Sequence, residues 1–148
     1  MHSANHIAEF VVLEASMLGR TLTPMQLIKI VYICHGWMLG VHGRPLVSDE
    51  AQAWDYGPVF PALYQRLKSF RSAPVEKLGE VDLSRFGDDE KSLLKAVVKH
   101  YSQYSGIDLS MMTHQAESPW EITRKQGGKN AFISNDLIEQ YYSKMASD

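Results

Sequence analysis

Apolar and polar positions recur along this chain mostly with the period of a helix. Over residues 5–18, Ile7, Phe10, Val11 and Leu18 fall within one broad stripe, which predicts an amphipathic helix closed by Gly19-Arg20. Thr23-Pro24-Met25-Gln26 then supplies a capping hydroxyl, a proline suited to the first helical position and a glutamine that completes a capping box. The helix they announce runs over about 23–42 and is apolar nearly all round, so it is predicted to be buried at the centre, with other elements packed on several sides. Gly36 and Gly40, four apart, leave a smooth strip for another backbone. Lys29, His35 and His42 interrupt the apolar run, which falls short of a membrane span.

Gly43-Arg44-Pro45 breaks that helix, and the stretch 46–54 is short enough for only a small strand or hairpin. Val59, Leu63, Leu67 and Phe70 outline a third helix. Residues 71–87 turn polar, with Pro74, Gly79 and Gly87, and read as the longest surface loop, with room to move. A helix opening at Asp88 or Asp89 and running through Tyr104 would turn Leu93, Leu94, Val97, Val98, Tyr101 and Tyr104 inward and Lys91, Lys95 and Lys99 to water. A short helix follows over 105–114. Ser118-Pro119-Trp120-Glu121 starts another that Gly127-Gly128 stops, and Ser134 or Asn135 starts the last. The fold class is therefore mostly α: six or seven helices around a buried central one, one domain over residues 1–148, without internal repeats.

One segment stands out chemically. In Ala53-Trp54-Asp55-Tyr56-Gly57-Pro58-Val59-Phe60-Pro61, Pro58 fixes its own φ and pushes Gly57 out of the helical region. Trp54 and Tyr56 are two apart, so in an extended segment both rings would project from one face, beside a helix start. The segment carries neither a nucleophile nor a set of metal ligands. Trp54 and Trp120 each flank a turn where a groove could open, and such aromatics anchor protein interfaces.

Composition narrows the function. The chain has 148 residues, 45% of them hydrophobic and 22% charged, as in ordinary globular proteins. A formal net charge of −2 gives no general field for nucleic acid. Arg124, Lys125 and Lys129 form one small basic group, with Glu117 and Glu121 just before it. The single cysteine, Cys34, excludes an internal disulfide and reads as a buried apolar residue. No secretory signal is visible at the N-terminus, so a cytoplasmic location is the default expectation.

No catalytic constellation emerges. Among the six histidines, His35 and His42 are seven apart, too far for joint ligation; His2 and His6 are four apart, on a terminus prone to fray, and imply adventitious binding. Cys34 and His35 are adjacent and diverge by about 100° on a helix. No nucleophile elbow or phosphate loop occurs, and no metal or cofactor is expected. His114, at a helix end before Pro119-Trp120, could act as a base, a metal ligand or a hydrogen-bond hub. The simpler expectation is structural: it satisfies backbone carbonyls and packs on Trp120.

The ordered series Pro24 to Trp37, His42-Gly43-Arg44-Pro45-Leu46, Trp54-Asp55-Tyr56-Gly57-Pro58-Val59, Leu109 to His114 and Glu117-Ser118-Pro119-Trp120 resembles the Panacea (SocA-like, phage-associated GepA-like) antitoxin domain, over roughly Thr21 to Tyr142. The resemblance implies the antitoxin of a toxin–antitoxin pair. Such a protein neutralises a cognate protein toxin by direct contact, or delivers it to a protease or chaperone, without being an enzyme. Its motif positions here are Trp54, Tyr56, Gly57, Pro58, Thr113, His114, Pro119 and Trp120, candidates for partner binding or for holding the fold. With little chain after Tyr142, no appended DNA-binding region is expected. The rival readings are a small nucleic-acid-binding regulator, which would bind with a steep salt dependence, and a hydrolase using His114.

Overall fold

The long apolar helix lies at the centre of the structure, a computed structural model describing residues 1–148. Helix α1 (Ala4–Met17) precedes α2 (Pro24–His42), whose first turn closes as the capping box requires: Thr23 Oγ1 accepts from the Gln26 amide at 3.3 Å and Gln26 Oε1 from the Thr23 amide at 2.8 Å. Gly43, at φ 67°, ends α2 in the left-handed conformation. Every residue of α2 from Leu27 to Gly36 is buried. The helix therefore serves as the shared wall of the core, which is one continuous cluster of 34 buried apolar residues.

The remaining elements wrap it. A hairpin of β1 (Ala51–Trp54) and β2 (Gly57–Val59) leads into α3 (Pro61–Leu67); then come α4 (Asp88–Tyr101), α5 (Gly106–Thr113), α6 (Pro119–Gly127), β3 (Phe132–Ile133) and α7 (Asn135–Ser147). Hydroxyls of Ser105, Ser118 and Ser134 cap α5, α6 and α7. The smooth strip on α2 is used as its glycines suggest. A Cβ on Gly36 would lie 2.3 Å from the Tyr142 ring, and one on Gly40 2.7 Å from the Tyr142 backbone, so α7 crosses α2 at a distance only glycine permits.

Several expectations shift. The strand lies at 51–54 rather than from 46, and the aromatic segment itself forms the hairpin, with β3 added antiparallel on the other side of β1 (order β2-β1-β3). Val59 therefore belongs to β2 and not to the third helix, which α3 confines to 61–67 because Pro61 sits at its start. Helix α4 stops at Tyr101 rather than Tyr104, and Leu18, placed in the α1 stripe by periodicity, is exposed as its C-cap. The long loop is pinned: the Val75 amide donates to Leu22 O at 2.7 Å, and Arg66 holds both Leu78 O at 2.5 Å and Glu9 at 2.8 Å. Phe86 is buried in a stack on His2, ring centroids 4.4 Å apart. The N-terminus does not fray either, since His2 and His6 are both buried, face each other at 3.1 Å, and His2 reaches Glu90 at 3.2 Å.

Candidate functional site

The hairpin turn brings the motif residues together. Trp54 pairs with Gly57, leaving Asp55 and Tyr56 as a two-residue loop. Both keep negative φ, and the left-handed step falls on Gly57, at φ 110°. Tyr56 consequently sits on the turn and not on the strand. It is 74% exposed, whereas Trp54 is half-buried edge-on against Tyr64, ring centroids 4.9 Å apart. Both rings nevertheless border one groove beside the hairpin.

Ala53 bonds to the β3 side through both its amide and its carbonyl, so its partner Pro58 faces the free edge of β2. A proline there removes no ladder bond. Its exposed-edge carbonyl is instead taken by Lys29, whose Nζ donates to Pro58 O at 2.9 Å.

Four successive outside donors fix the carbonyls of this turn. Arg124 Nη1 donates to Ala53 O at 3.1 Å, the Trp120 indole N–H to Trp54 O at 2.6 Å, the Ser110 hydroxyl to Tyr56 O, and Lys29 to Pro58 O. Arg124 also lies over the Trp120 ring, 5.1 Å from its centroid, and grips Asp55 at 3.2 Å; Lys129 holds the other carboxylate oxygen at 3.3 Å. These hydrogen bonds from Arg124 and then Lys129 hold the Asp55 carboxyl below its ordinary pKa. The small basic group is thus largely committed within the molecule, with Lys125 on Glu121 at 3.4 Å.

His114 closes α5. Its ring packs on Trp120 at 5.2 Å between centroids, as the sequence suggests, and its backbone amide rather than its side chain satisfies a carbonyl, that of Met111. Nδ1 lies 3.4 Å from Ser110 Oγ, an approach that their four-residue spacing at the end of α5 allows. The Ser110 proton is directed to Tyr56 O, and no carboxylate orients the imidazole. The pair therefore ties α5 to the turn. Thr113 and Pro119 are buried beside it, Thr113 bonding to Leu109 O and Ser110 O.

Lys29 is the residue that sequence reasoning undervalues. It is 2% exposed, and burial alone lowers its pKa from 10.5 to about 7. The signal was there: neither Met25, Gln26, Tyr32 nor Ile33, its helical neighbours, offers a countercharge. His35, also buried, accepts the Val47 amide at Nδ1 and so carries its proton on Nε2, which donates to Asn135 Oδ1 at 2.9 Å.

Lys29 lines a groove of about 390 Å³ between the start of α2 and the hairpin, walled by Trp54, Tyr56, Val59 and Tyr64. Arg71 and Asn130 stand at its rim, both with positive φ, 56° and 62°. A larger groove of about 720 Å³ between α2 and α4 contains none of the motif residues, and its one carboxylate, Asp89, is paired with Arg44. No group of residues has the makings of a metal site, and no helix is long and apolar enough to cross a membrane.

The sequence matches the family described as antitoxin SocA-like, Panacea domain, over residues 27–121, which takes in the buried half of α2, the hairpin and the Trp120 turn. Antitoxin SocA of Caulobacter vibrioides is 23% identical over 137 residues, covering 86% of this chain and 73% of that protein. No solved structure matches significantly.

Proposed function

This chain belongs to the SocA-like antitoxins built on the Panacea domain, and we propose that it neutralises a cognate protein toxin by binding it directly, with the hairpin face as the contact surface. An antitoxin role in general follows from the family. The observation that carries the finer reading is Tyr56: a large aromatic, 74% exposed, on a turn whose backbone is hydrogen-bonded from α2, α5 and α6. A tyrosine on a fixed backbone has only its two side-chain torsions left to order on binding. The other motif residues, Gly57, Pro58, Thr113, His114, Pro119 and Trp120, hold that presentation. The role is binding rather than catalysis, because the one Ser/His pair is spent on the turn.

Expressing the toxin gene of the pair alone should arrest growth. Co-expressing this chain should restore it, and the purified proteins should co-elute at micromolar concentration. Rescue without a complex would replace direct neutralisation with a degradative route through a protease.

A further inference from the structure

The groove beside the turn has a charge character that direct neutralisation alone does not explain. Lys29 lies at its floor with Pro58 O as its only hydrogen-bond partner, although a protonated ammonium has three donors to satisfy. Arg71 at the rim has no ion pair. The groove continues past Ile28 and Tyr64 to Lys68, likewise without an ion pair. Asp55, the one carboxylate on its wall, is already held by Arg124 and Lys129. Two unpaired cations, Arg71 and Lys68, and the buried amine of Lys29 therefore follow one another along an aromatic-walled channel, in a chain whose formal net charge is −2.

Resting on the antitoxin reading above, we propose that this groove receives an extended acidic segment of the toxin, with a carboxylate over Lys29 and Arg71, a second acidic group near Lys68 and an apolar side chain against the Trp54–Tyr64 pair. The recessed position of Lys29 suits a side-chain or terminal carboxylate entering from above. It suits a phosphodiester chain poorly, since that needs cations ranged along an open surface. Arg71 also keeps a left-handed backbone, φ 56°, which is strain held at the rim of the groove.

The chemistry provides a specific readout. Desolvation leaves the Lys29 amine mostly neutral at pH 8, its pKa being about 7. The titratable and charged groups that line the groove with it are Asp55 and Tyr56 from the turn, Tyr64, Arg71 and Lys129. A carboxylate seated beside the amine favours its charged form, so binding must draw in a proton.

The test is calorimetric titration of the full-length protein with its purified toxin at pH 8, in two buffers of different ionisation enthalpy. The wild type should take up a substantial fraction of one proton per complex, and Lys29→Met should take up none. The surface pair Arg71→Glu/Lys68→Glu, checked for an unchanged melting temperature, should bind at least about tenfold more weakly. Unchanged affinity in that double variant, or a wild-type complex formed without proton uptake, overturns the proposal and leaves the antitoxin reading standing. Displacement of the toxin by a single-stranded oligonucleotide at comparable concentration would assign the groove to phosphates and overturn it as well. Failure of the wild type to bind toxin at all defeats both.

Discussion

The indole N–H of Trp120 donates to the carbonyl of Trp54 at 2.6 Å, bonding two motif positions 66 residues apart. The bond docks α6 on the hairpin, and Arg124, stacked over the same indole, extends the junction to Ala53 and Asp55. Trp120→Phe keeps an aromatic ring but loses the donor. It should cost about 1–2 kcal/mol, because the partly buried carbonyl loses its partner. Chemical denaturation of the two proteins measures this, and an unchanged midpoint would mean that water replaces the indole at no cost.

Gly57 is the second point at which local geometry dictates residue type. Its φ of 110° lies where L side chains are strained, and a Cβ would meet Lys29 Nζ at 3.1 Å and Thr113 Oγ1 at 3.3 Å. Gly57→Val should therefore destabilise by about 1–3 kcal/mol. A visible drop in thermal midpoint is the expected result; an unaltered melting curve would show that the turn relaxes freely.

Lys29 makes stability depend on pH with a definite sign. Its folded pKa, about 7, lies below the unfolded value of 10.5, so between these limits the unfolded chain binds more protons and stability rises with pH. Below pH 7 the whole cost of burying the charge is present. Relative to Lys29→Met, the wild type should gain about 2 kcal/mol between pH 7 and pH 9. The difference in unfolding free energy between the two proteins, measured at both values, isolates this group. A constant difference would show that Lys29 does not titrate in the folded protein.

His114 separates a structural hub from a chemical one. His114→Ala removes the ring that packs on Trp120 and approaches Ser110, and should cost about 1–2 kcal/mol. His114→Gln should recover part of that loss, and growth rescue should follow stability across both. Loss of rescue in a glutamine variant that folds and binds toxin would point to proton transfer at this position instead.

What the sequence reveals and what it conceals divide by range. The central helix is legible because Thr23, Pro24 and Gln26 act on adjacent backbone groups, and Gly36 with Gly40 forecasts the close passage of α7 through a purely steric rule. The turn at Asp55 and Tyr56 is not legible locally, because whether an extended stretch folds back depends on the pairing of β2 with β1. The pinned loop and the buried His2–His6 pair depend on distant partners, Leu22, Arg66, Phe86 and Glu90, which no local pattern announces. Lys29 belongs to the same class: a lone charge in an apolar helix is visible, but its destination, the edge carbonyl of Pro58, is 29 residues away.

The central claim, that the hairpin face binds the toxin, is tested most directly at Tyr56, which is exposed and carries no structural bond through its ring. The measurement is the dissociation constant of the purified toxin for the wild type, for Tyr56→Ala, and for Lys95→Glu on the exposed face of α4 as a control. The expected result is an unchanged melting temperature in both variants, with affinity lowered at least about tenfold in Tyr56→Ala alone. Equal affinity for the wild type and Tyr56→Ala would contradict the account and move the interface to another face of the molecule.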